Sequence, residues 1–249
     1  MLSFIRNLFS SKNEKKETPV TVMFIGLDNA GKTTMLSTIQ GETDTNTTPT
    51  IGFDKKRVVH GKYNITYFDL GGSKGFRGIW DRYYGSIHGA IFVVDSADEN
   101  RLEEAKQALF ESVRHPKFTG KSLLILANKQ DKKESIPAHE IAQKLELDKL
   151  KSLVHRYNIL PCSAIQAQNK PQDPQIKKGV TWLSESIDEQ FESLNKRIEK
   201  DMRDEAEQAK LEREEKRRIV AERKAKEEEL AKAEEEKKLK EQSAAQSPE

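Results

Sequence analysis

The stretch Gly26-Leu27-Asp28-Asn29-Ala30-Gly31-Lys32-Thr33-Thr34 decides the fold. It follows the apolar run Val20-Thr21-Val22-Met23-Phe24-Ile25, which reads as a strand, and opens into Lys32 to Gln40, which reads as a helix. The pattern G-x-x-x-x-G-K-[ST] in that setting suits a phosphate. Backbone N–H groups around Gly31 and at the helix start face an anion, Lys32 neutralises the β and γ groups, and the Thr33 hydroxyl can ligate Mg²⁺. Asp28, Asn29, Ala30 and Thr34 complete the cradle. A glycine turn that merely joins strand to helix is the plainer reading, and the flanking strand and helix weigh against it.

Outward from this loop, further strand-like runs are Lys55 to His60, Asn64 to Phe68, Ala90 to Val94, Leu123 to Ala127 and Asn158 to Leu160. The almost wholly apolar ones suit parallel strands buried on both faces, and Gly61-Lys62 reads as a hairpin turn that makes one pair antiparallel. Helical stretches are expected at Asn100 to His115, Pro137 to Leu145 and Val180 onward, with Gln166 to Lys178 as a surface loop. The expected fold is α/β: a six-stranded, mainly parallel sheet with helices on both faces.

Phosphate alone does not choose a base. Asn128-Lys129-Gln130-Asp131, directly after the fifth run, does. A carboxylate at Asp131 accepts from guanine N1–H and N2–H₂ together, whereas adenine leaves it unpaired. Asn128 and Lys129 would brace the loop and stack along the base, and Cys162-Ser163-Ala164 would complete the site with the Ala164 N–H aimed at guanine O6. Asp69-Leu70-Gly71-Gly72 places Asp69 to hold Mg²⁺ through water and the Gly72 N–H to sense the γ-phosphate. Thr50, within Thr48-Pro49-Thr50-Ile51-Gly52-Phe53, would complete the Mg²⁺ shell. Loops ordered only by a γ-phosphate make a switch between GTP and GDP forms.

The 249 residues hold 43 Lys and Arg against 41 Asp and Glu, with 34% charged and 35% hydrophobic residues. Ordinary domains are about a quarter charged. The excess lies at the end: Asn195 to Glu249 carries 16 basic and 17 acidic residues. All 13 glycines lie between Gly26 and Gly179, and no proline falls between Gly179 and Pro248. The expected organisation is therefore an N-terminal segment over 1–17, a domain over 18–195, a charged helix over 196–241 and a disordered end over 242–249. The near balance of charge gives no support for nucleic acid as a partner. The single cysteine, Cys162, excludes an intrachain disulfide and suits an intracellular, reducing compartment.

In the tail, acid-to-base pairs four apart recur, such as Glu212/Lys216, Glu214/Arg218 and Glu222/Lys226. Each stabilises a helix by about 0.2 to 0.5 kcal/mol. Apolar Trp182, Leu183, Ile187, Phe191, Leu194 and Ile198 predict one helix from Val180 that packs on the sheet before leaving it. Beyond Met202 the apolar positions thin to a seam too sparse to specify a coiled coil, so a solvated spacer and a partner-binding helix both stay open. Nothing here sets an oligomeric state.

The ordered motifs Gly26 to Thr34, Pro49 to Phe53, Phe68 to Gly72 and Asn128 to Asp131 resemble the ADP-ribosylation-factor (Arf-like) branch of small GTPases. The resemblance implies a phosphate-loop G domain over 18–195 with GTP or GDP and Mg²⁺ as ligands. It also implies an effector surface at Phe53, Phe68 and Tyr83, for which interior packing is the alternative. The family normally has glutamine at the position of Ser73, where the side chain orients the attacking water beside Gly72. Serine is too short for that, so intrinsic hydrolysis is expected to be very slow. The serine, the sequence Gly78-Ile79-Trp80 and the charged tail together resemble a ciliary subgroup. That likeness implies a GTP-loaded activator, or exchange factor, for another Arf-like small GTPase, type three. A hydrolysing GTPase of vesicle or membrane traffic, with the tail as spacer, is the other reading.

Leu2, Phe4, Ile5, Leu8 and Phe9 fall on one side of a helical wheel, which predicts weak, reversible membrane contact through residues 2–9. Leu2 excludes myristoylation of a second-position glycine, and no nearby cysteine offers palmitoylation.

Overall fold

The computed structural model describes residues 17–42, 50, 52–165 and 172–244, with side chains as far as residue 228. The membrane-contact segment 2–9 and Thr48, Pro49 and Ile51 lie outside the described residues. The chain divides into two units, Met1–Glu199 and Lys200–Glu249.

The first unit carries β1 (Thr18–Ile25), α1 (Lys32–Gln40), β2 (Phe53–His60), β3 (Tyr63–Leu70), α2 (Asp81–Tyr84) and β4 (Gly89–Asp95). After these come α3 (Leu102–Arg114), β5 (Ser122–Asn128), α4 (Ala138–Lys144), β6 (Tyr157–Pro161), α5 (Pro174–Asp188) and the start of α6 (Phe191–Ala244). The six strands run in the order β2-β3-β1-β4-β5-β6. Only β2 and β3 are antiparallel, joined through Gly61 at φ +62°, so that His60 pairs with Tyr63. All other neighbours are parallel.

Alternation along β1 builds two cores. Met23 and Ile25 face the side of α2, α3 and α4, while Val20, Val22 and Phe24 face α1, α5 and the root of α6. The central strands β4 and β5 are buried on both faces, as their unbroken apolar runs predict. Because the order reverses beside β1, the carboxyl ends of β1, β3, β5 and β6 line one crevice, where open α/β sheets bind ligands.

Three expectations need correction. The segment read as a loop to Lys178 is helical from Pro174, because Asp173 accepts the Gln175 N–H as a cap and proline suits the first turn. The helix expected to run unbroken from Val180 turns at Glu189 and Gln190 before α6 begins. That turn lets Phe191, Leu194 and Ile198 pack into the α5-side core. Finally, the tail ion pairs in contact run in the reverse order. Lys210 meets Glu214, Arg218 meets Glu222, Arg223 meets Glu227 and Lys224 meets Glu228. Exposed side chains there have acids in reach on both sides, and Arg218 also takes Glu215 one turn back. No helix among the described residues is long and apolar enough to cross a membrane.

Candidate nucleotide site

The phosphate loop leaves β1 at Gly26 and enters α1 at Gly31, which stands at φ +93°. A Cβ on Gly31 would lie 2.4 Å from Asn128 Nδ2, so both the backbone and the neighbouring base loop require glycine. No side chain caps α1, which leaves its first N–H groups directed at the crevice. Lys32 is buried, and its Nζ donates to Gly26 O at 3.0 Å and Leu27 O at 2.8 Å. Burial pushes its pKa down to about 8, opposed by the charges of Asp69 and Asp28. A cation held in this way favours an anion beside it.

Three oxygens converge next to it. Thr33 Oγ1 donates to Asp69 Oδ2 at 2.7 Å, Thr50 Oγ1 donates to the same oxygen at 3.0 Å, and the two hydroxyls lie 2.7 Å apart. Asp69 is buried, and its Oδ1 has no hydrogen-bond partner among the described residues. Burial raises its pKa, against the hydrogen bonds from Thr33 and Thr50 and the charge of Lys32. A divalent cation beside these oxygens would favour the ionised form, so the donor set fits Mg²⁺. No group of three or more His, Cys, Asp or Glu able to hold a metal exists among the described residues. The fit is therefore of the kind in which one carboxylate and hydroxyls share the ion with phosphate oxygens.

Gly72 closes this end. A Cβ there would lie 2.4 Å from both Gly26 O and Lys32 Nζ, and 2.5 Å from Asp28 N, so the Gly72 backbone rests on the phosphate loop. It is held by a residue the sequence reading did not single out. Arg77 Nε donates to Gly72 O at 2.7 Å, and its guanidinium reaches Glu104 at 2.6 Å and Asp28 at 3.7 Å. Arg101 adds bonds to Asp28 Oδ1 at 2.8 Å and Glu104 Oε2 at 3.0 Å. The hydrogen bond from Arg101 holds Asp28 below its ordinary carboxylate range. The phosphate loop, the second of the two expected switch loops (residues 71–77) and the start of α3 are thus tied by four charged side chains from three segments. Ser73 takes part through its backbone: its carbonyl accepts the N–H groups of Phe76 and Arg77 at 2.8 and 3.1 Å.

At the base end, Asn128 Nδ2 donates to Ala30 O at 2.8 Å, and Asn128 Oδ1 accepts the Ala164 N–H at 2.9 Å. The Ala164 N–H, expected to face guanine O6, thus also has an acceptor within the protein. Lys129 sits at φ +67° with its Nζ 2.6 Å from Asp95, another residue the sequence reading did not single out. Asp131 is exposed, and the preceding Gln130 N–H bonds Cys162 O at 3.2 Å. Ser163 N–H donates to Asp173 Oδ2 at 2.9 Å, so the α5 cap also braces the base loop. Asp173-Pro174 is the sequence signal that would have found it. Cys162 is buried, and burial pushes its thiol pKa up.

Phe53, Phe68 and Tyr83 pack on one another, with ring centroids 4.9 to 5.7 Å apart. Phe53 is 39% exposed and the other two are half-buried, so the trio is a partly open aromatic patch between β2, β3 and α2.

A grip for phosphates and a bracket for a base meet across the ends of β1 and β5, and a protein needs both only to hold a whole nucleotide. That pairing defines the class: a small GTPase, a guanine-nucleotide-binding switch of the phosphate-loop fold. The chain belongs to the ADP-ribosylation factor family, whose pattern matches residues 1–187. It is 38% identical over 199 residues to ADP-ribosylation factor-like protein 13B of Chlamydomonas reinhardtii, a match covering 80% of this chain but only 37% of that protein. It is 37% identical over 187 residues to ADP-ribosylation factor-like protein 3 of the same organism, covering 75% of this chain and 98% of that one. The Arl6 BBS3 small GTPase from Trypanosoma brucei, solved with the bound nucleotide analogue GppNp, superposes with a TM-score of 0.61 at 30% identity, covering 70% of this chain and 99% of that one.

Proposed function

We propose that this chain is a Mg²⁺-dependent GTP switch with very weak hydrolysis, which in its GTP form activates another Arf-like GTPase, of type three, by promoting nucleotide exchange. Ser73 carries the reading. Its side chain ends one bond beyond Cβ, with no amide to hold a water from two sides, at the position where the family orients the attacking water. Phosphate binding and switch closure do not need that glutamine: Lys32, Thr33, Thr50, Asp69 and Gly72 supply those contacts themselves. Mg²⁺, when bound, would bridge and neutralise phosphate oxygens. Thr33, Thr50 and Asp69, the last through water, would hold it. Asp131, with Asn128 and Lys129 behind it, would select guanine.

A switch that closes but hydrolyses slowly works by binding. The aromatic patch of Phe53, Phe68 and Tyr83 is the surface whose shape would follow the nucleotide. Similarity to an Arf-like protein 13B supports placing this activity in a cilium, with contact at the membrane surface through residues 2–9.

Two measurements test the proposal. In single-turnover assays, Ser73→Gln should hydrolyse GTP at least tenfold faster than the wild type. The GTP-loaded wild type should also speed release of labelled GDP from a type-three Arf-like GTPase, and the GDP-loaded form should not. Equal hydrolysis by both proteins, or no acceleration of release, would favour the hydrolysing traffic GTPase with a spacer tail.

A further inference from the structure

Lys121 is a fully buried cation. Its Nζ donates to the carbonyls of Tyr84 and Ile87, the latter at 2.7 Å. Those carbonyls close α2 and the turn after it, the exit of the segment that begins at Gly72. A buried ammonium is costly unless well bonded, and apolar packing of the same volume is usually no less stable. A lysine here therefore does something an apolar side chain would not: it grips two carbonyls of one segment with charge-assisted hydrogen bonds.

The loop that delivers Lys121, His115 to Lys121, is held from its other side by the root of α6. Arg197 Nη1 donates to Thr119 O at 2.7 Å, Arg197 Nη2 to Pro116 O at 2.6 Å, and Gln190 Nε2 to Gly120 O at 3.3 Å. The same loop seats the Tyr84 ring, whose centroid lies 5.0 Å from that of His115 and 5.3 Å from that of Phe118. One residue past Ile87, the His88 ring stacks on Phe191 at 5.5 Å, nearly parallel. Residues 84–88 and 190–197 thus share one seven-residue loop, besides meeting directly where His88 stacks on Phe191 and bonds Asn195.

We propose that the His115–Lys121 loop is a coupling joint, with Lys121 as the positioning residue that lets the nucleotide-dependent position of the second switch set the order of the α6 root. This rests on the reading of the chain as a GTP switch. The second switch supplies the two-state element that coupling requires, and the loop joins it to the root through hydrogen bonds at both faces. Coupling is reciprocal, so an ordered root must in turn favour one nucleotide form by the same factor.

Amide hydrogen exchange on the full chain tests this, with the protein loaded with GDP or a non-hydrolysable GTP analogue and Mg²⁺. In the wild type, amides of 71–77, 84–88 and 191–198 should exchange at least tenfold more slowly with the analogue. Lys121→Met should bind both nucleotides within about threefold of the wild type and keep the response at 71–77, yet lose it at 191–198. Arg197→Gln, which leaves the buried lysine in place, should keep the responses at 71–77 and 84–88 and lose that at 191–198, so it decides the matter if Lys121→Met does not fold. The ratio of GDP to analogue affinity should shift in Arg197→Gln by the factor by which the root's response falls. A wild-type response at 191–198 in either variant overturns the joint, as does a wild type whose 71–77 responds while 191–198 does not. Failure to bind nucleotide, or no response at 71–77, would instead sink the switch reading itself.

Discussion

The first unit and the tail hold charge in opposite ways. In the first unit, Lys32, Asp69 and Lys121 are buried and bonded to named oxygens or hydroxyls, those of Asp69 and Lys121 on other segments. From Lys210 to residue 228 the charges stand in water, and the pairs Lys210–Glu214, Arg218–Glu222 and Arg223–Glu227 lie within one helix. Nearly equal numbers of acids and bases therefore have different consequences: buried charge fixes geometry between segments, whereas exposed charge gives solubility and modest helix support.

Removing the most functionally placed buried charge should have the largest effect. Lys32→Met should weaken GTP and GDP binding at least a hundredfold in titrations with fluorescent nucleotide, since it deletes a charge-assisted contact to phosphate. Without nucleotide the same variant should be the more stable protein. The folded pKa of Lys32, about 8, lies below the ordinary 10.5, so between those values the unfolded chain holds the extra proton. Stability of the nucleotide-free wild type should rise across that window by about 3 kcal/mol, and Lys32→Met should lack this contribution.

His88 comes next. It is buried, its Nδ1 accepts the Thr21 N–H at 3.0 Å, and burial pushes its pKa down to about 4. Folded His88 stays neutral while the unfolded residue gains a proton below its ordinary 6.5, so stability is full above that pH and is lost as pH falls from 6.5 to 4. The loss attributable to His88 should approach about 3 kcal/mol in denaturant titrations and be absent from His88→Phe. If both proteins lose stability equally, burial of an ionisable ring beside the α6 root does not matter as argued.

The smallest effect belongs to the tail. Arg218→Ala removes contacts to Glu215 and Glu222, yet should change stability by less than about 0.5 kcal/mol, with no dependence on bound nucleotide. A larger change would erase the contrast between the two regions.

What the sequence disclosed follows from how the information is spread along it. Gly26 to Thr33 and Asn128 to Asp131 are contiguous, and each marks the end of a strand, so sheet, crevice and base preference could all be read from short patterns. Asp28, Arg77 and the Arg101/Glu104 pair come from three segments, and nothing in the spacing between those segments announces that they meet. The turn at Glu189 and Gln190 contains neither glycine nor proline. It forms because Glu189 reaches His155 and Arg156 while Phe191, Leu194 and Ile198 enter the core, a tertiary gain that overrides local helix preference. Asp173 was hidden by Pro174, which read as loop but in fact begins a helix.

The sheet's order has a further consequence at its rims. β2 and β6 are the terminal strands, each with one edge not paired within the sheet. A long flat edge invites a stray strand from another molecule, and such growth ends in aggregates. β2 carries Lys55, Lys56 and Arg57 in succession, and β6 is only five residues long and finishes at Pro161, which has no N–H to offer. The rims thus discourage stray pairing by charge on one side and by brevity and proline on the other, which helps each copy keep its sheet to itself.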